Sequence, residues 1–143
     1  MANEITIQSK LTATKGGSSV TNYTSDFTIT MASALSLKSS IDQSVGYSAA
    51  EAISTGDVTL TQEHWLQFVN NDATNFVTVE VHKDSSNMAV AGVMLPGEPF
   101  GPVRALAQGT SPFGAGYPCY KLKADTAACV VTVIACEAGD PTA

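Results

Sequence analysis

The stretch "HWLQFVNNDATNFVTVEVH" (His64–His82) holds two runs of alternating residues around a polar centre. Successive side chains of a strand point to opposite faces, so His64–Asn70 and Asn75–His82 read as strands. "NDAT" (Asn71–Thr74) reads as the turn, because Asn and Asp bond their own backbone and tolerate turn conformations. A hairpin centred near Ala73 sets Val69 opposite Val77, Gln67 opposite Val79 and Trp65 opposite Val81. That odd-numbered face is the expected core. The even face then pairs Phe68 with Thr78, Leu66 with Glu80 and His64 with His82. It leaves Leu66, Phe68 and Phe76 outward among polar groups, which is the mark of a contact surface.

The C-terminal stretch "KADTAACVVTVIACEAGD" (Lys123–Asp140) is apolar on both alternating faces. Its longest apolar run, Ala127 to Cys136, is about half of the roughly 20 residues a spanning helix needs. A central strand remains, with Cys129, Val131, Val133 and Ala135 on one face and Val130, Ile134 and Cys136 on the other. Cover is expected on both faces, from a second sheet and from a loop or partner subunit. Cys129 and Cys136 lie seven residues apart, so they point to opposite faces. With Cys119 they make three cysteines and no C-x-x-C pair. Buried, reduced thiols are expected, with a Cys119–Cys129 disulfide as the alternative.

Between these stretches, Asn87–Leu95 is a strand with apolar residues on both faces. Pro96-Gly97 predicts a type II turn, Pro presetting φ and Gly supplying φ > 0. The returning segment, Glu98 to Leu106, contains Pro99 and Pro102 and is an edge strand for want of donors. "AQGTSPFGAGYP" (Ala107–Pro118) is a loop whose Phe113 and Tyr117 would cover a neighbour. Upstream, Glu4–Ser9 and Ser25–Met31 alternate as strands, and Thr14–Asn22 reads as a flexible loop. Ala32–Ser44 is the best helical candidate, though loaded with Ser. Ser44–Ser54 sets Val45, Tyr47 and Ala49 on one face, and Gly46 marks a bulge there. Eight to ten short strands separated by turns predict an all-β, single-domain, jelly-roll-like β-sandwich over residues 1–143. An extended N-terminal arm is expected over about residues 1–22.

Charged residues are 14% of the chain, against about 25% in ordinary domains. Much of the surface is therefore neutral, as in a subunit covered by its neighbours. The net charge of −6, with Arg104 the single arginine, argues against nucleic-acid binding, which needs clustered cations. No basic region precedes an apolar core at the N-terminus, so a secretory signal is not expected, nor is a membrane partner. Enzyme chemistry is not expected: no G-x-S-x-G elbow or phosphate loop occurs. Glu51, Asp57, Glu63, Glu80 and Glu98 are candidate carboxylates that no spacing pairs. His64, His82 and Glu80 would approach a zinc ligand set in the hairpin register. A one-residue slip dissolves that set, and no metal or other cofactor is expected.

"VNNDATNFVTVEV" (Val69–Val81), "VMLPGEPFGPVR" (Val93–Arg104) and "YKLKADTAACVVTVIACEA" (Tyr120–Ala138) resemble small structural proteins of tailed bacteriophage virions. In those proteins an aromatic strand ends in an "N-x-D-A-T-N-[FY]-V" hairpin, an "L-x-P-G-E" turn follows, and the chain closes with "KADTAA" and an apolar strand. The resemblance covers roughly the second half and carries no catalytic residues across. It implies a virion subunit assembled in the host cytoplasm, foremost a capsid cement or decoration protein. Such a protein stabilises the head by non-covalent contacts with the major capsid protein. A head–tail joining or tail accessory subunit is the near alternative. A carbohydrate-binding jelly-roll module, stacking sugars on Trp65, Tyr47, Tyr117 or Tyr120, is the alternative of another class. A homo-oligomer is expected, a trimer in preference, with Leu66, Phe68, Phe76, Phe113 and Tyr117 as the subunit interface.

Overall fold

The computed structural model describes residues 4–30, 38–56, 58, 64–84, 86–105 and 119–137. Ten strands lie along them: β1 (Glu4–Lys15), β2 (Ser18–Thr30), β3 (Lys38–Val45), β4 (Glu51–Ala52) and β5 (His64–Asn70), then β6 (Val77–His82), β7 (Met88–Met94), β8 (Pro99–Ala105), β9 (Cys119–Ala124) and β10 (Cys129–Glu137). Eight of them make two four-stranded antiparallel sheets, ordered β3-β10-β5-β8 and β4-β9-β6-β7. The chain is all-β, and the two sheets pack as a β-sandwich.

Their inner faces supply one core. Val45, Leu66, Phe68, Cys129, Val131, Val133 and Ala135 come from the first sheet; Val77, Val79, Met94, Leu122 and Ala124 come from the second. Phe68 sits at its centre, stacked on Phe100 at 6.2 Å and tilted against Tyr120 at 6.0 Å. Removing such a side chain from water is worth about 1.5–3 kcal/mol.

The His64–His82 stretch folds otherwise than a hairpin. β5 pairs with β10 and β8, whereas β6 pairs with β7 and β9. The segment between them crosses from one sheet to the other, so each strand sets its inward parity independently. β6 turns its odd residues inward, as expected, but β5 turns inward Leu66, Phe68 and Asn70, the even set. Leu66 is 1% exposed and Phe68 0%. Both belong to the core, and their assignment to a subunit interface is corrected. The crossing also separates His64 from His82, which stand in different sheets, and the anticipated histidine pairing goes with it.

β10 lies between β3 and β5, with Cys129, Val131, Val133 and Ala135 buried. Its other face is only partly covered. Val130 is exposed, while Ile134 and Cys136 are half-buried. Pro96-Gly97 forms the expected turn, with Gly97 at φ 77° and Glu98 N–H donating to the Leu95 carbonyl at 2.9 Å. The turn carries the chain from β7 in one sheet to β8, which is an edge strand of the other.

Upstream, two expectations are corrected. Thr14–Asn22 is no flexible loop: β1 and β2 form a separate two-stranded ribbon closed by Gly16-Gly17. Both glycines have positive φ, 59° and 83°, the conformation a two-residue hairpin turn demands and Gly supplies without strain. Within the Ala32–Ser44 helical candidate, the described part from Lys38 is strand β3. Residues 32–37 of that candidate lie outside the described residues.

Candidate functional site

Three sequence motifs meet at one end of the sandwich. The sheet-crossing segment 71–76 is held by an Asx-type knot. Asp72 Oδ1 accepts from the Thr74 N–H at 2.8 Å and the Asn75 N–H at 2.7 Å. Those backbone donors, Asn75 first, hold the Asp72 carboxyl below its ordinary pKa, because hydrogen bonds to the charged form favour it. Asn70, 0% exposed, binds the knot to both sheets. Its Nδ2 donates to the carbonyls of Asn75 at 2.9 Å and Met94 at 3.2 Å, and its Oδ1 accepts from the Asp72 N–H at 3.0 Å. Its backbone N–H donates to the Glu98 carbonyl at 3.0 Å, and its own carbonyl accepts from Gly97 at 2.9 Å.

The closing motif joins at the same end. Thr126 Oγ1 donates to Asn75 Oδ1 at 2.8 Å, and the Asn71 N–H donates to the Val130 carbonyl at 2.9 Å. Asn71 Nδ2 donates to Thr132 Oγ1 at 2.7 Å, and that hydroxyl donates to Asp42 Oδ1 at 2.6 Å. The polar residues of all three motifs thus have local work: they close turns and link β3, β5, β7 and β10. Glu98 belongs with them, its Oε2 accepting from the Leu95 N–H at 2.9 Å.

The outer face of the β4-β9-β6-β7 sheet is different. On β6, His82 Nε2 and Glu80 Oε2 are 2.8 Å apart, and both side chains are largely buried. Lys121 of β9 stands opposite Glu80 and Cys119 opposite His82. On the other side of β6, Met88, Val90 and Val93 of β7 stand opposite His82, Glu80 and Thr78. All three are exposed, with Val90 at 57%, and Leu95 and Phe76 are exposed near that strand's end and at the start of β6. The result is an uncovered apolar row beside a buried His82–Glu80 hydrogen bond.

A cleft of about 220 Å³ opens on the outer face of the other sheet. Trp65, Gln67, Pro102, Ile134 and Cys136 line it from the sandwich, and Thr6, Ile7 and Gln8 of β1 line its opposite wall. Trp65 therefore faces outward, not into the core as the hairpin register expects. Cys129 and Cys136 do lie on opposite faces, the first buried and the second in the cleft wall. Burial, with Asp72 and Asp125 nearby, pushes the Cys129 thiol pKa up.

Of the expected interface, Phe76 alone is shown at the surface, 39% exposed; Phe113 and Tyr117 lie outside the described residues. Tyr47 is exposed in the turn after β3, whereas Tyr120 packs against the core. Glu51 accepts from the Gly46 N–H at 3.0 Å, and Asp57 and Glu63 lie outside the described residues. The β7 row was not singled out from sequence, although its lack of any charge was visible there. Asn70 was missed as well; a polar residue on the apolar even face of β5 was the available signal. No family model, curated protein or solved structure matches the chain.

Proposed function

We propose that the chain is a structural subunit of a tailed-bacteriophage virion, foremost a cement or decoration protein of the head. It would bind the major capsid protein and neighbouring copies through non-covalent burial of surface, without catalysis. The observation that carries this reading is the uncovered apolar row Met88, Val90 and Val93, with Phe76 and Leu95 nearby, on a sandwich whose core is already complete. Monomers seldom leave such groups together without a partner. We also read the sandwich as a jelly roll. Counted from β3, the sheet orders are 1-8-3-6 and 2-7-4-5, the arrangement of two interlocked Greek keys, an architecture common in capsid subunits and lectins.

The test is copy number in purified particles. Hundreds of copies per particle fit a cement protein, and about six to a few dozen fit the head–tail joining or tail alternative. Absence of the chain from particles refutes the virion reading altogether.

A carbohydrate-binding module is the second reading, favoured by Trp65 in the wall of an outward cleft beside Gln67 and Gln8. An aromatic ring next to amides is the chemistry that holds a sugar. A glycan array that finds binding, lost in Trp65→Ala, would support it; an array without a binder removes it.

A further inference from the structure

The β1–β2 ribbon meets the rest of the molecule by packing, with no strand ladder between them. Among the described residues, each of its strands pairs only with the other. The core cluster of the described residues draws on β3 and the chain after it, and on nothing in the ribbon. All of the ribbon precedes β3, so lifting it interrupts no sandwich strand. A two-stranded ribbon is marginal by itself in water, so its order depends on what it packs against.

That packing is at the outward cleft. Ile7, half-buried, lines one wall, and Trp65, Pro102, Ile134 and Cys136 line the other. Both walls are largely apolar, yet about 220 Å³ parts them. About 10–15 Å³ is room for one water, so the contact falls well short of the close packing of an interior. The ribbon's own ladder slips at the same place. Between the Ile7–Phe27 and Ser9–Thr24 pairs, Gln8 of β1 stands against two residues of β2. Such a slip bends a ribbon, and beyond it residues 12–21 are exposed throughout.

We propose that the ribbon is a lid on this cleft, which opens and closes as one unit while the sandwich stays folded. A loosely packed contact without a ladder opens at lower cost than the global fold. Closing draws Ile7 toward Trp65 and Ile134 and expels water from apolar walls. Opening bares Trp65, Ile134 and Cys136, in the same outward row of β10 as the already exposed Val130. The lid therefore sets how much apolar surface the first sheet shows. It stands whichever of the two functional readings holds.

Native-state thiol labelling of the full chain, quantified peptide by peptide, is the experiment, with emission of Trp65, the single tryptophan, as second readout. Cys136 lies under the lid, whereas Cys129 lies in the core and reports unfolding of the sandwich. Cys136 is expected to label at least tenfold faster than Cys129. Ile7→Asp sets a charge in the cleft wall. It should raise the Cys136 rate at least threefold and shift Trp65 emission to the red, with the Cys129 rate unchanged. Val20→Asp, the same kind of change at a ribbon site 72% exposed, should alter neither readout. Cys136 labelling no faster than Cys129 overturns the proposal, because opening would then be unfolding. So does Ile7→Asp that leaves Cys136 unchanged, or that raises both rates together.

Discussion

The Asn70 side chain, at the end of one sheet, donates to the Met94 carbonyl, at the end of the other, across 3.2 Å of protein interior. The same amide closes the crossing segment through Asn75 and Asp72. Asn70→Ala would leave the buried Met94 carbonyl without that partner, along with the half-buried Asn75 carbonyl and Asp72 N–H. A buried polar group stripped of its bond costs about 1–3 kcal/mol, so a loss of about 3 kcal/mol is expected. Urea unfolding should show a lower midpoint with unchanged slope. Asn71→Ala, which removes an exposed bond to Thr132, should cost under about 1 kcal/mol.

Phe68 and Phe76 should part company. Phe68→Ala empties the centre of the core and is expected to cost about 3–5 kcal/mol. Phe76→Ala, at a site 39% exposed, should change the isolated chain by less than about 1 kcal/mol. Equally small losses at both would mean that β5 and β6 pair in one sheet after all, with Phe68 and Phe76 on a shared outward face.

Acid should loosen the two Asx turns. Asp72 is held below its ordinary pKa by the Asn75 and Thr74 N–H groups. Asp84, in the β6–β7 turn, is lowered by the Asn87 side chain and the Ser86 N–H. Because the folded pKa is depressed, the unfolded chain binds more protons in the acid range, and stability rises with pH there. The contribution is complete above about pH 4 and fades as pH falls through the lower folded values. Asp72→Asn with Asp84→Asn should flatten the dependence of thermal midpoint on pH below about pH 4. An unchanged slope would show that other carboxylates govern it.

In β10, Val131→Asp places a charge without a partner in a fully buried site, and the fold should be lost or severely weakened. Cys136→Ala, in the cleft wall, should be milder, with lost packing as the main cost. Denatured protein without reductant should titrate three thiols per chain; one thiol would reveal a disulfide. In the native state Cys129 should react slowest of the three, since burial keeps its thiol protonated and sealed from reagent.

Strand by strand, most of this sandwich was legible. The inward face of β10, the turn at Pro96-Gly97 and the edge position of β8 all follow from local chemistry. What misled was the link between β5 and β6. A hairpin about Ala73 ties odd residues to odd, so one inward face had to be wrong once the other was right. Taken alone, β5 declares its own face: Gln67 interrupts the odd set, while Leu66 and Phe68 fill the even one. A six-residue connection suits a hairpin or a sheet crossing equally well, and only long-range packing chooses between them. The N-terminal ribbon shows the same limit at closer range, since Lys15-Gly16-Gly17-Ser18 reads as slack chain or as a tight turn. The candidate surface on β7 was hidden by ambiguity of another kind: apolar residues on both faces suit a buried strand as well as an exposed edge.

The pairing of β3 with β10 has a consequence in time. Thr132 and Asp42, bonded across that ladder, are 90 residues apart in the chain, and β10 fills the middle of its sheet rather than its rim. During synthesis β3, β5 and β8 emerge with a gap between them that only the last described strand can fill. That sheet therefore cannot be completed until β10 has been made, and its non-local pairings make folding slow once it begins. Until then Leu66, Phe68 and Val45 stay open to solvent and to other nascent chains, the exposure that leads unfinished β-proteins to aggregate. Ribosome-stalled chains ending before Cys129 should thus remain protease-sensitive throughout, and chains in which Glu137 has left the ribosome should gain resistance in a single step.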